Sequence, residues 1–246
     1  MSDEQSEIDA LTQHPGEAHS AGKLGQRLNW LRAGVLGAND GIVSTAGVVV
    51  GVAAAAPGNT VAVATAGVAA LVAGAFSMAG GEYVSVSTQR DTERAMLAKE
   101  IRELAEQPEA ELDELTGFYR ARGLSAELAR QVAEELTAHG ALAAHAEIEL
   151  GVDPDELTNP WHAALSSFLA FVVGALIPLG MVLLPVGNPV AITAIAVILG
   201  LLLTGWISAA LGQAPIVRAI LRNVLMGSAT MAATYVIGLL FGVAVA

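Results

Sequence analysis

Long apolar runs separated by one carboxylate-rich stretch set the pattern of this chain. Five runs are long enough for a bilayer-crossing helix, which needs about 20 mostly apolar residues. They are Ala33–Ala56, Val61–Ser87, His162–Leu184, Val190–Leu211 and Val224–Ala246. From Arg90 to Asn159 the apolar positions change to the three-and-four spacing of water-soluble amphipathic helices. There one helix continues from the second span to about Gln107, and Pro108 opens a second that Gly123 closes. Ser125 caps a third, which runs to Glu149 with Gly151 just beyond. The pattern predicts an all-α polytopic membrane protein with five transmembrane helices and a three-helix insert. The expected divisions are a disordered acidic tail over 1–27, spans one and two over 28–90, the insert over 91–159 and spans three to five over 160–246.

Composition sharpens this. A hydrophobic fraction of 54% and a mean hydropathy of +0.56 over 246 residues exceed what one soluble core needs. The chain has no cysteine, so disulfides, thiolate zinc sites and cysteine-bound iron–sulfur clusters are excluded. Met1 to Gly22 is polar and acidic, without the basic start and short apolar core of a secretory signal. The first span is therefore expected to be retained.

Charge then orients the chain. All 12 Lys and Arg lie before span one, between spans two and three, or between spans four and five. The loops Pro57–Thr60 and Pro185–Pro189 carry none. Basic residues favour the cytoplasmic side, so the N-terminus and the insert are expected there and the C-terminus outside. Of the 24 Asp and Glu in a chain of net charge −12, most fall between 91 and 156. A nucleic-acid partner would require the opposite sign; this segment suits a cation.

Within the insert, Glu100 and Glu103 stand three apart, as do Glu111 and Glu114, and Glu103 has Glu106 at the same interval. Residues at that spacing share a helix face and can converge on one ion. On the third helix Glu135 and His139 are four apart, as are His145 and Glu149. At 100° per residue Glu135, His139 and Glu149 fall in one sector with His145 at its edge. An acidic helix alone is ordinarily a solvated face. Acidic pairs on two adjoining helices with a His/Glu stripe on a third make a candidate site for Fe²⁺, Mn²⁺ or Zn²⁺, whose preferences carboxylate and imidazole meet.

The five spans contain just two carboxylates, Asp40 and Glu82. Each costs at least about 2.5 kcal/mol to insert, so each calls for a reason. Gly37, Asp40, Ser44, Gly47 and Gly51 share a face of the first span, the small-residue pattern of close helix packing. Glycines alone would indicate a seam; with Asp40 among them the expectation is an ion path at a helix interface, with a homodimer interface as one form. On the second span Met78 and Glu82 stand one turn apart, with Gly80 and Gly81 between them permitting close approach or a break. A thioether beside carboxylates favours softer ions over Mg²⁺ and Ca²⁺. Buried carboxylates also bind protons, so such a site holds a metal or protons, the minimum requirement for exchange. Trp161 and Trp206 suit membrane interfaces, and Pro178 is expected to kink the third span.

Three stretches carry a family resemblance. LNWLRAGVLGANDGIVSTAGVVVG, ending at Gly51, resembles the first span of the vacuolar iron transporter family. GAFSMAGGEYVSVSTQR, Gly74 to Arg90, is similar to its second span, and NPWHAALSSFLAFVVGALIPL to its third. The resemblance covers the chain from about Leu28 to the end. It implies a five-span homodimer exchanging Fe²⁺ for H⁺, with Mn²⁺ also carried, along a path lined by Asp40 and Met78 with Glu82 nearby. It further implies metal binding by Glu100, Glu103, Glu111, Glu114 and Glu149. Near His145 plant-type relatives use methionine, a departure that bears on the ligand set.

The expected function is thus a proton-coupled exporter of Fe²⁺ from the cytoplasm, not an enzyme, whose insert collects or senses the metal. Its expected home is the plasma membrane of a bacterial-type cell, with a vacuole-like organelle as the alternative. A membrane-anchored di-iron enzyme is a different class, but its usual Glu-x-x-His pairs are missing from the insert. A passive metal buffer would leave Asp40 unexplained.

Overall fold

The computed structural model describes residues 21–154, 157–185 and 187–245; the expectation of disorder over residues 1–20 lies outside them. Seven helices and no strands occur among the described residues. They are α1 (Ala21–Ala55), α2 (Thr60–Glu106), α3 (Pro108–Ala121), α4 (Ala126–His145), α5 (Pro160–Val182), α6 (Pro189–Leu211) and α7 (Ile216–Val245), with one π-helical turn over Ala146–Leu150. Two compact units emerge: Ser85–Asn159 lies in one, and Asn29–Val84 with Pro160–Ala246 forms the other.

Helix α1 starts at Ala21, inside the segment 1–27 expected to be a disordered tail. Helix α7 likewise begins at Ile216 rather than near Val224, because Pro215 sits where a helix tolerates it and Arg218 and Arg222 have stems long enough to reach a polar boundary.

The apolar unit holds five helices long and apolar enough to cross a membrane. Asn59 and Asn188 cap α2 and α6, their Oδ1 atoms accepting from Ala62 N and Ala191 N at 3.0 and 3.1 Å. Ile42, Ala46, Val197, Leu201 and Met231 form one buried cluster, and Val49, Val50, Val63, Leu179 and Val182 a second. The outward faces are apolar too: Leu165, Leu169 and Val173 of α5, Leu199 and Leu203 of α6, and Leu225, Leu240 and Phe241 of α7 are exposed. Such faces suit hydrocarbon rather than water.

Packing here depends on glycine. A Cβ on Gly41 would lie 2.2 Å from the Phe171 carbonyl oxygen, and one on Gly174 would lie 2.3 Å from that of Ala38. Helices α1 and α5 therefore touch backbone to backbone. Gly47 and Gly51 instead meet Thr234 of α7, and a Cβ on Gly238 would fall 2.1 Å from the Gly51 carbonyl oxygen. Of the small residues expected on one face of α1, Gly37 thus meets Ser167 of α5, whereas Gly47 and Gly51 meet α7. Gly80 and Gly81 were expected to permit a close approach or a break; α2 runs unbroken through both, and among the described residues nothing lies within 4 Å of a Cβ at either.

The acidic unit is built on α3 and α4. Pro108 opens α3, Gly123 turns the chain with φ of 102°, and Ser125 Oγ caps α4 by accepting from Leu128 N at 3.3 Å. Leu115, Ala129, Ala133 and Ala146 are its fully buried apolar residues. Arg130 pins the pair from outside, bound to Asp113, to Glu134 at 2.7 Å and to Glu109 at 3.5 Å. These are exposed ion pairs, worth at most about 1 kcal/mol each.

Candidate metal centre

In α4 the periodicity breaks at Gly140, whose φ and ψ of −179° and 85° are extended rather than helical. The chain resumes helical form, ends α4 at His145 and passes through the π turn to Gly151, where φ is 63°. A π turn widens the backbone spiral and recurs at functional sites. The kink interrupts the straight helix on which Glu135, His139 and Glu149 share a sector with His145 at its edge. Glu135 and His139 are exposed, whereas His145 has no solvent exposure at all.

His145 meets carboxylates from two other helices. Its Nδ1 lies 3.0 Å from Glu100 Oε1 of α2, 3.8 Å from Glu111 Oε2 of α3 and 4.0 Å from Glu149 Oε2 of the π turn. Glu100 is 3% exposed and Glu111 is 7%. Ligand atoms of Glu100, Glu111 and His145 all lie within 4.8 Å of one another. Among the described residues, neither imidazole nitrogen nor Glu100 Oε1 finds a hydrogen-bond partner. Buried polar groups left in that state are costly, and even a protonated imidazole balances only one of three carboxylates. A divalent cation drawing on these oxygens and the Nδ1 lone pair would answer the excess negative charge and the unpartnered Nδ1 and Glu100 oxygen.

The remaining expected ligands stand apart. Glu103 accepts from Lys99 Nζ at 2.6 Å, and Glu114 is exposed one turn beyond Glu111. Both still act through charge. Burial, then the negative charges of Glu149, Glu111, Glu103 and Glu114, push the Glu100 carboxyl up to about 7. Glu111 is raised as well, by burial and then Glu114, with His145 opposing.

In the apolar unit, Asp40 is half-buried on α1, and its carboxylate has no bonded partner among the described residues. Ser44 donates to the Asp40 carbonyl oxygen at 2.6 Å, so its proton is committed to the backbone. Met78 packs against the Ala75, Phe171 and Ala175 cluster. Glu82 is 8% exposed and faces Arg32 Nη2 at 3.8 Å. At 1.5 Å per residue, Asp40 lies about 12 Å along α1 from Arg32, and Met78 about 6 Å along α2 from Glu82. Because a short turn makes the two helices antiparallel, Glu82, Met78 and Asp40 come at successive depths. Sequence reasoning used Arg32 only to orient the chain. Its pairing was available from the rule that a span carboxylate needs a cation within reach.

The VIT family model matches residues 31–239. The chain belongs to the VIT family. A protein of Acanthamoeba castellanii named vacuolar iron transporter is 42% identical over 231 residues, covering 92% of this chain and 83% of that protein. Vacuolar iron transporter homolog 3 of Arabidopsis thaliana is 38% identical over 212 residues, covering 85% and 82%. Vacuolar iron transporter homolog 5 of Oryza sativa subsp. japonica is 33% identical over 244 residues, covering 96% and 93%. The matched span takes in Asp40, Met78 and Glu82 as well as Glu100, Glu111 and His145 of this VIT family chain.

Proposed function

We propose that this chain carries Fe²⁺ out of the cytoplasm in exchange for protons, and that Mn²⁺ follows the same route. The convergence of Glu100, Glu111 and His145, buried and without hydrogen bonds on the imidazole, carries this reading. The names of its relatives point to iron. Oxygen and nitrogen donors accept Fe²⁺, Mn²⁺ and Zn²⁺, and a cytoplasmic position would let the acidic unit collect or sense the ion. Glu82, Met78 and Asp40 then pass it inward, each carboxylate holding either a metal or a proton. Two copies pairing through α1 and α2 would double these ligands, which suits an ion that needs more donors than one chain supplies. A bacterial-type plasma membrane is the proposed setting, with the basic residues inside.

The test is Fe²⁺ uptake into proteoliposomes with and without a pH gradient, comparing wild type with Asp40→Ala. Gradient-driven uptake that disappears in the variant supports exchange along α1. Correctly inserted wild-type protein that moves no Fe²⁺ would sink the transporter reading and leave a membrane-anchored buffer.

A further inference from the structure

Glu82 is the more deeply buried of the two span carboxylates, and its partner is unusual. Arg32 Nη2 stands 3.8 Å from Glu82 Oε2, and that oxygen makes no hydrogen bond. Locked arginine–carboxylate pairs close to about 2.7–2.9 Å and are frequently bidentate. Here the guanidinium supplies positive charge without a bond. The two side chains also differ in their surroundings. Arg32 is 61% exposed against 9% for Glu82, so arginine can withdraw at little desolvation cost while the carboxylate stays buried.

A cation arriving at Glu82 meets that guanidinium. The two positive charges repel across a few ångströms, and a metal that coordinates Glu82 Oε2 takes the place the guanidinium faces. A dication gains twice the attraction that the guanidinium does, and it can coordinate directly. A monovalent ion has neither advantage.

We propose that Arg32 is a displaceable counter-cation for Glu82, which balances the carboxylate between transport events and yields it to the divalent ion. Arg32 thereby sets the metal affinity of the Glu82 end of the path and disfavours monovalent ions there. The inference rests on the transporter reading above.

The experiment measures initial Fe²⁺ uptake against concentration in proteoliposomes for wild type, Arg32→Gln, Arg32→Lys, Glu82→Gln and the Arg32→Gln/Glu82→Gln double variant. In Arg32→Gln the competitor is gone, so KM should fall at least about threefold. Arg32→Lys, which keeps the charge, should bring KM back toward wild type. In the Glu82→Gln background the Arg32→Gln effect should vanish. A KM that is unchanged or raised in a transporting Arg32→Gln protein would overturn the inference, as would an equal fall without Glu82. A wild type that moves no Fe²⁺ counts against the transporter reading instead. Should Arg32→Gln fail to insert, modification of the wild-type protein by phenylglyoxal, mapped by peptide mass, decides the matter. Mn²⁺ should free Arg32 and speed its modification at least about twofold, and an unchanged or slower rate would overturn the inference.

Discussion

His145 Nδ1 and Glu100 Oε1 lie 3.0 Å apart without hydrogen bonding to each other or to any other described residue, in a site closed to solvent. Ligand atoms gathered within 4.8 Å of one another are what a metal ligand set requires. Replacing His145 with alanine should therefore weaken Mn²⁺ binding to the full-length protein at least about tenfold, since even groups that merely support a ligand change affinity by roughly 10–100-fold. Glu135→Ala and His139→Ala, on the exposed side of the Gly140 kink, should stay within about twofold of wild type. Titration calorimetry in detergent separates these. Equal affinities across all three variants would exclude His145 as a ligand.

Protons compete for the same carboxylate. Burial and four neighbouring glutamates raise Glu100 from 4.5 to about 7, so below that pH a metal must displace a proton. Affinity should fall about tenfold for each pH unit below 7 and level off above it. Stability of the metal-free protein runs the opposite way. Between 4.5 and 7 the folded state holds a proton on Glu100 that the unfolded state lacks, so this group's contribution grows as pH falls through that window. Metal titrations at pH 6, 7 and 8 would show the slope, and a flat profile would remove Glu100 from the site.

Much of the architecture was legible because helices declare themselves by period and caps. Pro108, Gly123, Ser125 and Gly151 each perform the capping or turning role that their chemistry implies. The site was legible in composition but not in arrangement. Glu100, Glu111 and His145 come from three elements, and spacing along one helix cannot reveal which faces meet. The helical wheel failed at Gly140, since an extended residue inside a helix rotates everything beyond it. Glu103, expected beside Glu100, has its carboxylate on Lys99, four residues upstream.

Gly41 of α1 and Gly80 of α2 have different roles. A Cβ at Gly41 would fall 2.2 Å from backbone that has no room to yield. Gly41→Ala should therefore force α1 and α5 apart and lower stability by about 1–3 kcal/mol, the usual cost of overpacking. Gly80→Ala meets open space, and alanine is the better helix former by about 1 kcal/mol. Its melting temperature in detergent should hold or rise. A marked loss at Gly80 would instead indicate that a second copy packs against that part of α2.

Whether the acidic unit feeds the path or gates it is decided by how flux fails. A Glu111→Gln/His145→Asn protein retains Asp40, Met78 and Glu82, all of them in the other compact unit. If the acidic unit gathers Fe²⁺ for delivery, its loss starves the path at low metal but not at high metal. Uptake below micromolar Fe²⁺ should then drop several-fold while the maximal rate remains near wild type. A gate behaves otherwise: without bound metal it cannot open, so the maximal rate falls and added Fe²⁺ does not restore it. An ion held by Glu100, Glu111 and His145, all three buried, would leave slowly, which weighs against the first outcome. Slow release suits a sensor, so the expected result is a reduced maximal rate in the double variant. A maximal rate equal to wild type, with uptake lost only at low Fe²⁺, would assign the unit to collection.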